Sequence, residues 1–178
     1  MKVHEEHKKE APKKINIALI VVSTSRFNEI QKNKTSSDKT IPLVNQIIEA
    51  NTSILLNFSE IIPDSKDHIK FILNKLIKDS SIDAVIFSGG TGLTSKDITY
   101  ETITPLLEKE IDGFGELFRY LSFKEIGSSA MLSRAIAGTL SGKTIFLLPG
   151  SPNAVKLAFN KLILPELGHI TYLIKKEE

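Results

Sequence analysis

Three short apolar runs limit the fold of this chain more than any other feature. Residues 15–22, 83–88 and 143–148 are almost continuously apolar, which is typical of strands buried on both faces of a parallel sheet. Segments with helical spacing lie between them. The clearest of these places apolar residues at i, i+3, i+4, i+7 and i+8, namely Ile69, Ile72, Leu73, Leu76 and Ile77.

The rest of the chain continues this alternation. The same patterns predict one more strand and several helical segments: a strand at 53–62, a helix from Pro42 onwards, a helix at 98–109, two helical pieces of 113–137 divided near Gly127, and a last helix limited by Pro165. Four strands alternating with helices predict a three-layer α/β/α fold with a mostly parallel central sheet and right-handed crossovers.

Length and composition indicate one folded domain. The 178 residues are 41% hydrophobic and 25% charged, which is ordinary for a globular protein. No repeat and no linker rich in Pro, Gly or Ser divides the chain. Residues 1–14 are charged and nearly devoid of apolar side chains, so we expect a mobile N-terminal arm, followed by a single domain at 15–178.

The composition also disfavours several functions. With 23 Lys and Arg against 21 Asp and Glu, the chain lacks the basic excess of a dedicated nucleic-acid binder. No apolar run reaches the roughly eighteen residues of a membrane helix. Cysteine is absent, which excludes disulfides and thiol catalysis, and the four histidines show no metal-ligand spacing. We therefore expect a soluble, cytoplasmic protein.

A glycine-rich loop marks the first candidate site. It follows the strand at 83–88 and consists of Gly89, Gly90, Thr91 and Gly92. Glycine permits positive φ and lets backbone N–H groups approach an anion, and the next helix start adds partial positive charge. The loop therefore predicts a phosphate site at the carboxyl end of a strand, where open α/β sheets bind ligands. The alternative is a tight turn that needs glycine for its geometry alone.

Two better-known phosphate motifs are not present. The segment 138–144 has only three residues between its glycines and precedes a strand, so it predicts a polar turn and not a P-loop. The glycine loop begins like a dinucleotide fingerprint, but Ser95 stands where the third glycine belongs. A nicotinamide enzyme is therefore disfavoured.

Two aspartates occupy corresponding positions. Asp64 follows the strand at 53–62 and Asp97 follows the glycine loop, so we expect both to face the same crevice. Mg²⁺ is held by one or two carboxylates together with substrate phosphates, which makes the pair a candidate Mg²⁺ and catalytic site. The alternative for either residue is helix capping, and for Asp64 the capping-box-like spacing to Asp67 supports it.

A Pro-Gly-Ser-Pro turn at residues 149–152 ends the strand at 143–148. Ser151 can cap the last helix and Pro152 can occupy its first turn. The turn can equally bring a hydroxyl and backbone N–H groups to the crevice and orient a second phosphate. Both interpretations remain open from the residues alone.

Five motifs in order resemble the molybdenum cofactor biosynthesis family of the MoaB/MogA type. They are Ser-Gly-Gly-Thr-Gly at 88–92, Asp97, Gly-Phe-Gly-Glu at 113–116, Gly-Ser-Ser-Ala-Met-Leu-Ser-Arg at 127–134 and Leu-Pro-Gly-Ser-Pro at 148–152. The resemblance covers nearly the whole chain after residue 14. It implies a nucleotidyltransferase, a molybdopterin adenylyltransferase that uses Mg²⁺ and ATP and releases pyrophosphate.

The resemblance also implies roles for individual residues. Asp64 and Asp97 would serve the metal and ATP, and Gly89, Gly90, Thr91 and Gly92 would hold phosphate. The pterin pocket would include Pro149, Gly150, Ser151, Ser128, Ser133 and Glu116. A homotrimer or hexamer is implied as well, with other enzymes of the same pathway as partners.

One departure from the family pattern concerns the first helix. The family usually has Asp-x-Ser-Gly there, whereas this chain has Asp38-Lys39-Thr40-Ile41, so the close approach that glycine allows is lost. Two alternative functions stay open: a non-catalytic molybdopterin-binding or carrier protein, and an enzyme acting on a different phosphorylated nucleotide or sugar.

Overall fold

The computed structural model describes residues 12–51 and 53–176. Most of the arm predicted at 1–14 lies outside the described residues. In the part of the chain that is described, the strands are β1 (Ile15–Val22), β2 (Ile54–Ile62), β3 (Ala84–Ser88), β4 (Lys109–Glu110), β5 (Ile136–Leu140) and β6 (Lys143–Leu148). The α-helices are α1 (Thr24–Gln31), α2 (Thr40–Glu49), α3 (Lys66–Ile77), α4 (Thr99–Ile103), α5 (Asp112–Ile126), α6 (Pro152–Ala158) and α7 (Leu164–Lys176).

One six-stranded sheet runs through the molecule in the order β2-β1-β3-β6-β5-β4. The first four strands in this order are parallel, and β5 runs antiparallel to both of its neighbours. The register places the ends of the parallel strands side by side, because Val22 is opposite Ile62 and Ser88 is opposite Leu148. The loops that follow these strands therefore open on one edge of the sheet.

Helices cover both faces of the sheet, as the three-layer prediction requires. Alternate residues of β1 point to opposite faces. Ile17 and Leu19 pack with α2, α5, α6 and α7, whereas Ala18 and Ile20 pack with α3 and Ile103. Burial on both sides explains why β1, β3 and β6 read as continuous apolar runs.

Two strands escaped the sequence prediction of four. β4 has only two residues, both exposed, and β5 (Ile136–Leu140) contains Gly138 and Thr139, so neither shows a continuous apolar run. β5 and β6 form a hairpin whose turn residues Ser141 and Gly142 both have positive φ. The prediction of a polar turn within 138–144 is thus confirmed, and the P-loop-like motif there is a hairpin.

The helix predicted at 98–109 is wrong beyond Ile103. Pro105 has no N–H to donate, and the chain tightens into a 3₁₀ turn at Thr104–Leu106 before β4 begins. The second helical piece of 113–137 is also partly wrong. Gly127, at φ +63°, ends α5, and a 3₁₀ segment to Leu132 leads into β5.

The predicted end of the last helix at Pro165 is wrong as well. A π-helical turn at Phe159–Ile163 joins α6 to α7, so the helix continues to Lys176 with Pro165 in the first turn of α7. The wider turn accommodates the missing proline N–H. None of the helices in the described residues is long and apolar enough to span a membrane.

Candidate active site

A cleft of about 450 Å³ opens at the carboxyl edge of the parallel strands. It brings together most of the residues that the sequence singled out, namely Asp64, Gly89, Gly90, Thr91, Gly92, Asp97, Ser133, Pro149 and Gly150. Six further lining residues were not predicted as site residues: Val22, Ser23, Ser25, Arg26, Leu132 and Arg134. The expectation that Asp64 and Asp97 face one crevice agrees with this geometry.

The glycine loop needs glycine at its first two positions. Gly89 has φ +106° and Gly90 has φ +64°, values that residues with a Cβ rarely adopt. A Cβ on Gly89 would overlap the backbone oxygen of Val22, and a Cβ on Gly90 would overlap Oγ1 of Thr99. The loop thus passes close over both β1 and the start of α4.

Backbone hydrogen bonds fasten the first two residues of this loop. The Gly89 N–H donates to the Leu148 carbonyl at 3.0 Å, and the Thr99 N–H donates to the Gly90 carbonyl at 2.9 Å. The hydroxyl of Ser88 donates to the carbonyl of Pro149 at 3.3 Å. The loop is therefore held against both the end of β6 and the start of α4.

Asp64 is fixed by a threonine at the start of α1. Its Oδ2 accepts hydrogen bonds from the N–H and the hydroxyl of Thr24, at 2.8 and 2.9 Å. Oδ1 points toward Gly90 and would lie 3.3 Å from a Cβ built there. α3 begins after Ser65, and Asp64 does not cap it through its carboxylate. The carboxylate therefore faces the cleft, and helix capping does not account for its position.

Asp97 is held in the same manner by its neighbour Thr94. Its Oδ2 accepts from the Thr94 N–H at 3.0 Å and from the Thr94 hydroxyl at 2.6 Å. The pKa of Asp97 is lowered mainly by that hydroxyl, then by the N–H groups of Thr94 and Gly92 and by the charge of Arg134, although burial opposes the shift. The carboxylate is thus ionised at neutral pH.

The two carboxylates fit Mg²⁺ in company with a phosphate. Each keeps one oxygen bound to a threonine, which fixes its direction without neutralising its charge. Within the described residues there is no group of three or more His, Cys, Asp or Glu side chains that would hold a metal by itself. Mg²⁺ does not need such a group when substrate phosphates supply the remaining ligands.

The Pro-Gly-Ser-Pro turn reaches the cleft through its first two residues. Pro149 and Gly150 line it, and Gly150 packs against Gly89. Ser151 is exposed and its Oγ accepts from the Ala154 N–H at 3.2 Å, so it caps α6. The capping interpretation of Ser151 therefore has a direct contact, whereas its role in a pterin pocket stays a prediction.

A second cavity of about 560 Å³ adjoins the cleft and shares Ser133 and Arg134 with it. Glu116 lines this second cavity and not the cleft. Ser128 is exposed on the 3₁₀ segment and lines neither. Four of the six residues assigned to the pterin pocket thus line one or both of these adjoining spaces, whereas Ser128 and Ser151 line neither.

Arg26 pairs with Asp38 just before α2, where the sequence departs from the Asp-x-Ser-Gly pattern of the family. The Arg26 guanidinium lies 3.2 Å from Oδ1 of Asp38, a side chain that is only 4% exposed. Oδ2 of Asp38 accepts from the Ile41 N–H at 2.8 Å. The backbone donor at the position of the family glycine is therefore occupied by the chain's own carboxylate.

Arg134 and Arg26 are the charged lining residues that sequence reasoning missed. Arg26 lies in the Ser-Thr-Ser-Arg segment directly after β1, so its position at a strand end was a usable signal. Arg134 gave no such signal, because it precedes β5 and meets the glycine loop only through the tertiary structure, 42 residues away from Gly92.

Fold and cleft together define an open-sheet α/β protein whose ligand site lies beyond the carboxyl ends of parallel strands. The chain belongs to the family described as "Probable molybdopterin binding domain", whose model matches residues 18–169. The family resemblance and the α/β fold predicted from the sequence are both confirmed.

Individual relatives match over nearly their whole lengths. Molybdenum cofactor biosynthesis protein B of Bacillus cereus is 44% identical over 173 residues, 97% of this chain and 98% of that protein. A Methanocaldococcus jannaschii protein named "Probable molybdopterin adenylyltransferase" is 43% identical over 158 residues, covering 89% and 93%. A crystal structure of molybdenum cofactor biosynthesis protein B has a TM-score of 0.83 at 43% identity, covering 93% and 99%.

Proposed function

We propose that this chain is a molybdopterin adenylyltransferase that uses Mg²⁺ and ATP. One observation carries the proposal: two threonine-held carboxylates, Asp64 and Asp97, share a cleft with the glycine loop. The name of the M. jannaschii relative, which is 43% identical to this chain, agrees with this activity.

In the proposed reaction a phosphate oxygen of molybdopterin attacks the α-phosphorus of ATP. The new P–O bond forms as the bond to the β-phosphate breaks, and pyrophosphate leaves with its electron pair. The N–H groups of Gly90 and Thr91 hold the phosphates, while Asp64 and Asp97 would hold the Mg²⁺ that accompanies the triphosphate. With Mg²⁺ held by these two carboxylates, the site would supply positive charge against the negative charge that develops on the phosphate oxygens. No covalent enzyme intermediate is needed.

We assign the pterin to the second cavity and the wall that it shares with the cleft. A carboxylate such as Glu116 is suited to the adjacent N–H groups of a pterin's aminopyrimidinone edge. Ser133 lies on the shared wall, and Pro149 and Gly150 lie on the cleft side. Ser128 and Ser151 remain candidates at the periphery. Glu116→Gln should raise the KM for molybdopterin and leave the KM for ATP within about twofold.

Pyrophosphate release tests the function directly. Purified protein should release pyrophosphate only when molybdopterin, ATP and Mg²⁺ are all present. Asp97→Asn should abolish turnover and leave the circular dichroism spectrum nearly unchanged, because Asn keeps the shape of the side chain. Normal turnover in this variant would remove Asp97 from the mechanism.

Calorimetry separates the enzyme from a carrier. A carrier would bind molybdopterin with the same affinity whether or not Mg²⁺ and ATP are present, and would form no product. For the enzyme, we expect heat from both substrates and adenylylated molybdopterin at the end of the titration. Tight binding of another phosphorylated nucleotide or sugar, with none of molybdopterin, would contradict both.

We also propose that the chain associates with itself in the cytoplasm, as a trimer or hexamer. An apolar patch on α5 and the 3₁₀ segment after it supports this: it comprises Leu117, Tyr120, Phe123, Ile126, Met131 and Leu132, all more than half exposed. A contiguous exposed patch of this kind is typical of a protein interface. Handover to other enzymes of molybdenum cofactor biosynthesis would take place on the remaining surface.

A further inference from the structure

Arg134 contacts the second half of the glycine loop. Its Nε–H donates to the carbonyl of Thr91 at 2.9 Å, and its Nη2 donates to the carbonyl of Gly92. Two consecutive carbonyl groups of the loop thus point at one guanidinium. The planar guanidinium suits this double contact, which a lysine ammonium cannot reproduce with the same geometry.

Glu101 and Tyr100, at the start of α4, hold Arg134 in place. Both terminal nitrogens of Arg134 bind the Glu101 carboxylate, with Nη2 at 3.3 Å from Oε2. The guanidinium carbon lies 4.7 Å from the centre of the Tyr100 ring. The hydrogen bond from Arg134 is also the main cause that lowers the pKa of Glu101. Arg134 is therefore a fixed part of the wall.

The peptide group between Thr91 and Gly92 connects Arg134 to Asp97. In a planar trans peptide the C=O and the following N–H point in opposite directions. The peptide between Thr91 and Gly92 therefore directs its oxygen to Arg134 and its N–H away from it. The Asp97 carboxylate packs directly against Gly92, because a Cβ built on Gly92 would lie 2.8 Å from Oδ2 and 3.1 Å from Oδ1 of Asp97. The Gly92 N–H also contributes to the lowered pKa of that carboxylate. One peptide thus joins the guanidinium to the carboxylate.

We propose that Arg134 is a positioning residue, which holds the Thr91–Gly92 peptide and through it orients the Asp97 carboxylate toward the metal and the phosphates. Arg134 lines the cleft but acts through the loop, so it does not need to touch the substrate. The inference rests on the proposed function for its catalytic consequence, but its structural part concerns this chain alone.

Three variants separate positioning from a direct contact with phosphate. Arg134→Ala removes the contacts and the charge, Arg134→Lys keeps the charge without the paired carbonyl contacts, and Glu101→Gln keeps Arg134 but loosens it. Glu101 lines neither the cleft nor the second cavity. Glu166→Gln is the matched control, because Glu166 is also a half-exposed carboxylate with a basic partner, His169, and lies far along the chain on α7.

The first measurement uses metal-free protein without substrates. Carboxyl-carbon NMR of Asp97 during a pH titration should show a raised pKa in Arg134→Ala, by at least about half a unit. Arg134→Lys should show most of the same rise, whereas Glu101→Gln should show little change, because loss of the Glu101 charge lowers the Asp97 pKa and offsets the effect of a loosened Arg134. Glu166→Gln should match the wild type. If Arg134→Lys had the same Asp97 pKa as the wild type, the charge at position 134 alone would account for the effect, and this result would overturn the proposal.

The second measurement is the Mg²⁺ concentration that gives half the maximal rate of pyrophosphate release. We expect it to rise several-fold in all three variants and to stay unchanged in Glu166→Gln. A direct contact between Arg134 and phosphate predicts the opposite pattern: Mg²⁺ dependence unchanged, KM for ATP raised in Arg134→Ala, and KM for ATP lowered in Glu101→Gln by the freed charge. That pattern would overturn the proposal.

The two measurements also separate failure of this inference from failure of the proposed function. If the wild type releases no pyrophosphate, the function is wrong, and the NMR titration still tests Arg134 by itself. If Arg134→Ala does not fold, Arg134→Lys and Glu101→Gln carry the test. An Asp97 pKa in Arg134→Lys equal to that of the wild type, or an unchanged Mg²⁺ requirement in Glu101→Gln, would refute the positioning role.

Discussion

Oδ2 of Asp64 accepts hydrogen bonds from both the N–H and the hydroxyl of Thr24, at 2.8 and 2.9 Å. Thr94 binds Oδ2 of Asp97 in the same way. The cleft therefore uses one device twice: a threonine fixes one oxygen of each acid, so that the carboxylate has a defined direction before any ligand binds. Such preorganisation reduces the ordering that binding would otherwise require.

Replacing Thr24 tests this device. Thr24→Val keeps the shape and the N–H but removes the hydroxyl, so we expect the Mg²⁺ requirement to rise several-fold. The free energy of unfolding should fall by no more than about 1 kcal/mol, because the contact is exposed to solvent. Thr24→Ser restores a hydroxyl and serves as the control. Equal Mg²⁺ requirements in the valine and serine variants would show that the hydroxyl has no role.

The glycine loop should tolerate no side chain at Gly90. In Gly90→Ala the methyl group meets Thr99 Oγ1 at a positive φ, and we expect a loss of about 1–3 kcal/mol in stability together with weaker ATP binding. Gly113→Ala is the control, since a Cβ there has no atom within 4 Å and the residue lies in α5. It should leave stability unchanged or raise it by up to about 1 kcal/mol. Chemical denaturation measures both.

Lowered carboxyl pKa values predict how stability depends on pH. The pKa of Asp97 lies below its ordinary 3.8 and that of Glu101 below its ordinary 4.5. A carboxyl group whose pKa is lower in the folded state stabilises that state fully when the pH is above its pKa in the unfolded chain. This contribution is lost as the pH falls through its pKa in the folded state. These two groups should therefore leave the melting temperature unaffected from pH 8 to about pH 5 and should lower it below about pH 4.5. Glu101→Gln should make that acid decrease shallower; an unchanged slope would contradict the assignment.

The hairpin between β5 and β6 offers a stabilising change. Ser141 and Gly142 both have positive φ, and Asn-Gly is the preferred pair for such a two-residue turn. Ser141→Asn should raise stability by about 0.5 kcal/mol, which corresponds to a degree or two in melting temperature for a chain of this size. Ser141→Val should lower it, because β-branched residues avoid positive φ. The same melting temperature in both variants would argue against the turn.

The apolar patch predicts the site of self-association. Phe123→Asp should shift the mass measured by light scattering toward that of one chain, because a charge in an apolar interface is costly to bury. Phe71→Asp is the matched control: Phe71 is 72% exposed but lies on α3, outside the patch. An unchanged mass for Phe123→Asp, or an equal shift for Phe71→Asp, would place the interface elsewhere.

The sequence by itself determined the buried strands and the edge of the sheet that carries the site. Apolar runs at 15–22, 83–88 and 143–148 leave a strand with no side to expose, and parallel strands must end at a common edge. The glycine loop and the two aspartates could therefore be assigned to one crevice in advance. Short elements such as β4 and α1 could not be predicted from the sequence. α1 buries none of its residues and β4 exposes both of its own, so neither has a pattern of buried apolar residues.

Only the tertiary structure decided which side chains hold the site in place. Thr24 reaches Asp64 across 40 positions of sequence, and Arg134 reaches Gly92 across 42. Local periodicity reports which face of an element is buried, but contacts of this kind depend on how separate loops converge in space. The sequence thus named the residues suited to phosphate and metal, whereas their directions depend on hydrogen bonds that exist only after the chain has folded.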